Sequence, residues 1–300
     1  MKFKTRPCPV CESTDISNVM VESQFDESRI DGFSFSSRKD PEYTFYKMVI
    51  CPVCNLLYAP EVPTVEFLET AYEEALYDST EESEFAAKTY FRYLKETISS
   101  LNGRGYALDI GAGNGAFLKQ LRRAGFEQVT GVEASRAPIE AADDDIKPHI
   151  RFGLFDPNDF QAESFNLISC MQTLEHLEDP KTFCDSAFSL LKPGGAFFVI
   201  SHNYQSFLAR VLKTKSPIFD IEHLQINSAV SMQYMLEKSG FKNIRIQNVI
   251  NTYPLHYWLR LAPLGKGVKQ KLHSALKKIG IDRVPLPMPV GNMAAIGLKP

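Results

Sequence analysis

Residues 106–135 read YALDIGAGNGAFLKQLRRAGFEQVTGVEAS, and they set three glycines, Gly111, Gly113 and Gly115, where an apolar run gives way to a helix-patterned one. Backbone without Cβ atoms lets a ligand come close and accepts left-handed turns. Downstream, Phe117, Leu121 and Ala124 share one helical face, and Gly125 follows as a stop signal. Working outward, apolar segments at 107–110, 129–133, 149–154, 165–170, 196–200 and 243–249 alternate with helical patterns, among them 181–191 and 228–239. This alternation predicts βαβ units and a mostly parallel sheet. NMAAIGLKP, residues 292–300, predicts a last strand at the sheet edge.

The glycine turn also satisfies the looser dinucleotide pattern, Gly-x-Gly-x-x-Gly/Ala, so its neighbours decide the ligand. Asp109 closes the first strand, two residues before Gly111. A carboxylate there would repel a pyrophosphate and would tolerate a cofactor with a positive sulfur, S-adenosylmethionine. Glu133 closes the second strand, where a carboxylate takes both ribose hydroxyls.

LDIGAGNG, GVEAS, FNLISCMQTLEHLEDP and LLKPGGAFFVIS occur in the order found in the class I S-adenosylmethionine-dependent methyltransferases, and residues 100–250 with the last strand resemble that family. The resemblance implies an α/β fold: a Rossmann-like seven-stranded sheet whose last strand is antiparallel. It places Asp109, Gly111 and Gly113 at the methionine end of the cofactor and Glu133 on its ribose, with Gly115 also among the cofactor-binding residues. It places Phe155 and Asp156 beside the adenine, and Met171 and Gln172 near the sulfonium.

The family motif of base and amide-nitrogen methylation, Asn/Asp-Pro-Pro-aromatic, is replaced here by CMQTLEH, which favours an oxygen or carbon acceptor. Base candidates are Glu175–His176, His202 and Glu222–His223, all placed after strands or on the segment that covers the carboxyl edge. Each also has a structural reading, as a loop-stabilising pair or a strand cap. Glu222–His223 resembles the base pair of sugar C-methyltransferases, which also carry an N-terminal zinc module.

Cys8, Cys11, Cys51 and Cys54 form two CPVC pairs 39 residues apart. Each pair can grip one tetrahedral ion, and four sulfurs leave no position for water, so a structural zinc is expected. The spacer implies a hairpin with an inserted loop over residues 23–47. Seven Lys and Arg against eight Asp and Glu in residues 1–60 give no phosphate-binding stripe, so nucleic acid is disfavoured as a partner. Residues 55–87 hold nine acidic residues and no Lys or Arg, and read as a solvated helical connector.

These features divide the chain into a cysteine module (1–60), a connector (61–100) and a methyltransferase domain (101–300) with an insertion at 251–290. That insertion combines Trp258 with Lys266, Lys269, Lys271, Lys277 and Lys278. It reads as a helical pair on the sheet, or as a lid with peripheral membrane contact through 254–280. A net charge of −3, 44% hydrophobic content, no apolar run of roughly 18 residues and no signal-like start predict a soluble cytoplasmic protein, and the resemblance implies an enzyme with a small or carbohydrate-like acceptor.

Overall fold

The computed structural model describes residues 3–30, 32–36, 43–77, 79–262 and 264–300. Of the loop expected between the cysteine pairs, residues 31 and 37–42 lie outside the described residues. Seven strands form the main sheet: β1 (Tyr106–Ile110), β2 (Gln128–Glu133), β3 (Ile150–Phe152), β4 (Phe165–Met171), β5 (Leu191–His202), β6 (Lys242–Pro254) and β7 (Pro285–Leu298). Their order is β3-β2-β1-β4-β5-β7-β6, with β7 antiparallel to both of its neighbours. The remaining pairings are parallel.

The sheet corrects one expectation: the last strand is interior, between β5 and β6, and not at the edge. Met293, Ala294, Ala295 and Ile296 are all buried. Four consecutive apolar residues, without the alternation of a one-faced strand, suit a position covered on both sides. Beyond the sheet, β6 and β7 continue as a two-stranded arm, paired from Asn251 opposite Met288 to Pro254 opposite Pro285.

Besides a short helix at Arg136–Glu140, the helices are α1 (Val65–Glu73), α2 (Thr80–Ser100), α3 (Ala116–Arg123), α4 (Pro180–Leu190), α5 (Phe207–Leu212), α6 (Ala229–Lys238), α7 (Leu255–Leu261) and α8 (Lys266–Lys278). The last two sit at the tip of the arm. Among the described residues, no helix is long and apolar enough to cross a membrane.

The acidic connector is only half solvated, which is a second correction. From α2, Ala86, Ala87, Tyr90, Leu94 and Ile98 are buried in one cluster with Phe117 and Leu121 of α3 and Phe198 of β5. Leu68 of α1 is buried too, while the glutamates that dominate the composition lie mostly on the other face. Net charge describes only the solvent side of an amphipathic helix.

The N-terminal residues do not pack alone. Cys8, Val49, Cys51, Cys54 and Tyr58 share a cluster with Leu108, Phe197 and Met232 of the main domain. Val19–Val21, Met48–Ile50 and Leu57–Tyr58 make a small sheet completed by Gln225–Ile226, contributed from far along the chain. The Arg6 guanidinium fastens the seam. It donates to the carbonyls of Ala59 (3.0 Å), Glu178 (2.8 Å) and Leu224 (2.7 Å), and to Gln225 Oε1 (3.0 Å).

Removing that group leaves four acceptors poorly satisfied. Arg6→Ala is expected to lower the thermal midpoint by about 5 °C or more. Arg6→Lys should not restore it, because an ammonium cannot span acceptors that a planar fork reaches. Thermal unfolding of the two variants checks this.

Candidate active site

A cavity of about 630 Å³ opens at the carboxyl edge of β1, β2, β4 and β5. That size suits a small-molecule site. One half is built by the glycine turn. Gly111 adopts φ 74°, and a Cβ there would lie 2.1 Å from Thr173 Oγ1, so only glycine lets the turn pass this loop. Gly113 donates its N–H to Glu133 Oε2 (2.7 Å), and Ser135 N–H donates to Oε1 (2.9 Å). A carboxylate has about four acceptor sites with broad geometry, so Glu133 can also accept from a ligand hydroxyl. Burial raises its pKa above the ordinary range.

Asp109 is also buried and accepts from Ser169 Oγ at 2.6 Å. Its carboxyl is pushed up to about 7, mainly by burial and further by Glu133, against the opposing pull of the Ser169 bond. A buried acid so placed is completed by a cation. Met171 and Gln172 line the cavity between the halves. Gln172 is held at both ends: Tyr90 Oη donates to its Oε1 (2.9 Å), and its Nε2 lies 3.3 Å from His202 Nε2. His202 Nδ1 in turn lies 2.8 Å from Asn292 Oδ1. Donation from Gln172 makes Nε2 an acceptor and puts the ring proton on Nδ1.

The other half gathers two more histidines, His176 and His223. The rings of His176 and His202 stand 5.1 and 5.0 Å from that of His223, which sits between them. His223 Nδ1 lies 2.8 Å from the Ile218 carbonyl, to which it donates, so in the neutral ring the basic lone pair is on Nε2. Glu222 Oε2 lies 3.7 Å from His176 Nδ1. Tyr72 Oη lies 2.7 Å from the same nitrogen. Burial, with the nearby Glu222 carboxylate, raises the Tyr72 phenol well above its ordinary value, so it stays protonated. Glu175 turns away from this group: it is fully buried, and Oε1 accepts from Ser201 Oγ (2.9 Å) and His202 N–H (2.5 Å).

Sequence reasoning missed Tyr72, because it sits in a helix read as solvated. A signal was present: Leu68 and Tyr72 are four residues apart and form an inward stripe. Ser135 Oγ donates to the Tyr72 carbonyl (2.7 Å) and ties α1 to the end of β2.

Two expected cofactor residues are placed elsewhere. Gly115 starts α3 with φ 72°, and a Cβ there would meet Ile146 and Ile150 at 2.3 and 3.0 Å, so it serves packing. Asp156 is exposed and caps a short turn, accepting from Asn158 N–H (2.9 Å) and Nδ2 (2.8 Å). Phe155 does line the cavity, as do Gly153 and Leu154.

Apart from this cavity, the sulfurs of Cys8, Cys11, Cys51 and Cys54 lie within 4.8 Å of one another. Cys8 and Cys54 are 3.5 Å apart, and Cys11 and Cys51 are 3.3 Å apart. Four thiolates at about 2.3 Å from one tetrahedral ion would be separated by roughly 3.8 Å.

A family model described as a methyltransferase domain matches residues 83–246, more than half of the chain, and the chain belongs to that family. The match begins inside α2, upstream of the glycine turn. The ubiquinone biosynthesis O-methyltransferase of Coxiella burnetii is 30% identical over 128 residues, which is 40% of this chain and 53% of that protein. The corresponding Bordetella avium protein is 26% identical over 181 residues, 54% of this chain and 74% of that protein. The chain thus spans about half the length of the first of these curated relatives. Among solved structures, an Archaeoglobus fulgidus SAM-dependent methyltransferase aligns with TM-score 0.49 at 19% identity, over 73% of this chain and 97% of that one. Haemonchus contortus phosphoethanolamine N-methyltransferase 2, in complex with S-adenosyl-L-methionine, aligns with TM-score 0.43 at 17% identity, over 74% and 59%.

Asp109 carries a pH signature. Its folded pKa lies above the unfolded value of about 3.9, so the fold binds its proton more tightly and loses stability as pH rises through about 4 to 7. Asp109→Asn removes this loss. Thermal melts at pH 5 and pH 8 are expected to show the variant gaining on the wild type at the higher pH by a few degrees.

Proposed function

We propose that this member of the methyltransferase-domain family transfers a methyl group from S-adenosylmethionine to an oxygen or carbon of a small or carbohydrate-like acceptor. The observation that carries the reading is one cavity with two kinds of wall. Its Asp109, Gly113 and Glu133 side suits a cationic, ribose-bearing donor, and its His176, Tyr72, Glu222 and His223 side suits a polar acceptor that loses a proton.

The residues fit the donor. Asp109 offers a buried anion to its positive end, Glu133 has acceptor capacity for hydroxyls, and a Cβ at Gly113 would meet nothing within 4 Å, so the backbone there is open. When bound, S-adenosylmethionine supplies a methyl group on a positively charged sulfur. His223 takes the proton that the acceptor gives up as its oxygen or carbon gains the methyl group. The Ile218 carbonyl orients the ring so that Nε2 is the basic nitrogen. His176, with Glu222 and the protonated Tyr72, offers a second polar contact that fixes the acceptor's hydroxyl or carbonyl oxygen. The histidine base contributes about 10²–10⁴-fold.

The carbohydrate-like class is favoured by this polar wall and by the cysteine module behind it. Zinc suits the four convergent sulfurs and would be structural, with no open position for a reactant. The relatives' name favours a second reading, a phenolic oxygen as acceptor, served by the same base.

Methylation is read with labelled donor against two panels, nucleotide-linked sugars and polyhydroxylated phenols. Turnover on the first panel is expected, falling about 10²-fold or more in His223→Gln. Full turnover in that variant contradicts the assigned base, and turnover only on phenols moves the acceptor to the second class. Elemental analysis is expected to find one zinc per chain. Cys11→Ser should lose it and melt several degrees lower, whereas a zinc-free wild type with an unchanged melt would remove the metal from the account.

A further inference from the structure

Two segments border the cavity mouth with a composition unlike the rest of the chain. Residues 203–219 and 254–284 together hold ten Lys and Arg and one acidic residue, in a protein of net charge −3. Leu208 and Leu212 of α5 line one side of the mouth, and Leu261, Ala262 and Met288 at the base of the arm line the other. Asn203 N–H donates to the Gly291 carbonyl (2.9 Å) and holds the two sides together.

Both segments present apolar side chains outward. Phe207 of α5 is 81% exposed, and Val211, one turn on, is 60% exposed. On α8 no described residue is buried, although the helix is amphipathic. Val268, Leu272, Ala275 and Ile279 recur at helical spacing and form one stripe, with Ile279 67% exposed. At 100° per residue, Lys269 flanks this stripe on one side and Lys271 and Lys278 on the other. A protein partner would cover the stripe, but a second copy of this chain would bring like charges together. RNA would use the cations and leave the aliphatic side chains in water. An apolar stripe flanked by ammonium groups is matched by one surface, acyl chains beneath anionic headgroups.

We propose that α8 and α5 dock the cavity mouth on the surface of an anionic lipid bilayer, so that the acceptor, or the lipid carrying it, enters from the membrane interface. The binding does not depend on methyl transfer, so it is tested apart from the function above.

The test is co-sedimentation of the full chain with vesicles of phosphatidylglycerol mixed with phosphatidylcholine, against vesicles of phosphatidylcholine alone. Binding is expected to the anionic vesicles only. It should weaken severalfold as ionic strength rises from about 0.1 to 1 M, where the screening length falls from roughly 10 to 3 Å. The double variant Leu272→Glu/Ile279→Glu alters two exposed positions, so its far-UV circular dichroism should match the wild type, and its partition should fall about tenfold or more. Phe207→Ser, on the other segment, should weaken binding in the same direction.

Three results would overturn the proposal. One is absence of binding to anionic vesicles at low salt. Another is binding that the double variant leaves intact and an RNA oligomer competes away, which would assign the cations to nucleic acid. The third is a dimer in sedimentation velocity that the double variant splits, which would assign the stripe to a second copy.

Discussion

The candidate active site depends on a two-residue strand, Gln225–Ile226, leaving the main domain to complete the sheet beside the cysteine knuckles. Glu222 and His223 are the residues just before it, so their position in the cavity is set by that pairing. Arg6 holds the same seam from the other direction, joining the carbonyls of Ala59, Glu178 and Leu224 through one planar group. The cysteine cluster therefore acts at a distance from the chemistry. It fixes the loop on which Leu57 and Tyr58 stand, and through them the segment that carries the proposed base.

The cavity combines two electrostatic problems in one enclosure. Asp109 is buried and Glu133 half-buried, both have raised pKa values, and the Glu133 carboxylate adds to the cost of ionising Asp109. Their charge is stabilised only in part by Ser169 and two backbone N–H groups. A cationic ligand at this end completes the arrangement. At the other end three imidazole rings lie in edge contact, with one carboxylate and one phenol beside them.

Local chemistry was legible in the sequence, and long-range packing was not. The strands flanking the glycine turn, the turn itself and the paired cysteines each follow from spacing within a few residues. The interior place of β7 needed its burial on both faces to be weighed above its place in the chain. Tyr72 was hidden because nine acids dominated the reading of residues 55–87, while the inward stripe rests on Leu68 and Tyr72. Gly115 and Asp156 were carried over from motif position, yet one packs on Ile146 and the other caps a turn. A motif gives the residue type at a site; it does not give the direction of the side chain.

Calorimetric titration with S-adenosylhomocysteine, with NADH as control, tests the central claim most directly. The account predicts micromolar affinity, about −8 kcal/mol, lost in Glu133→Ala and kept in His223→Gln, because donor and acceptor ends are separate. Heat with NADH and none with S-adenosylhomocysteine, on folded protein, would contradict it.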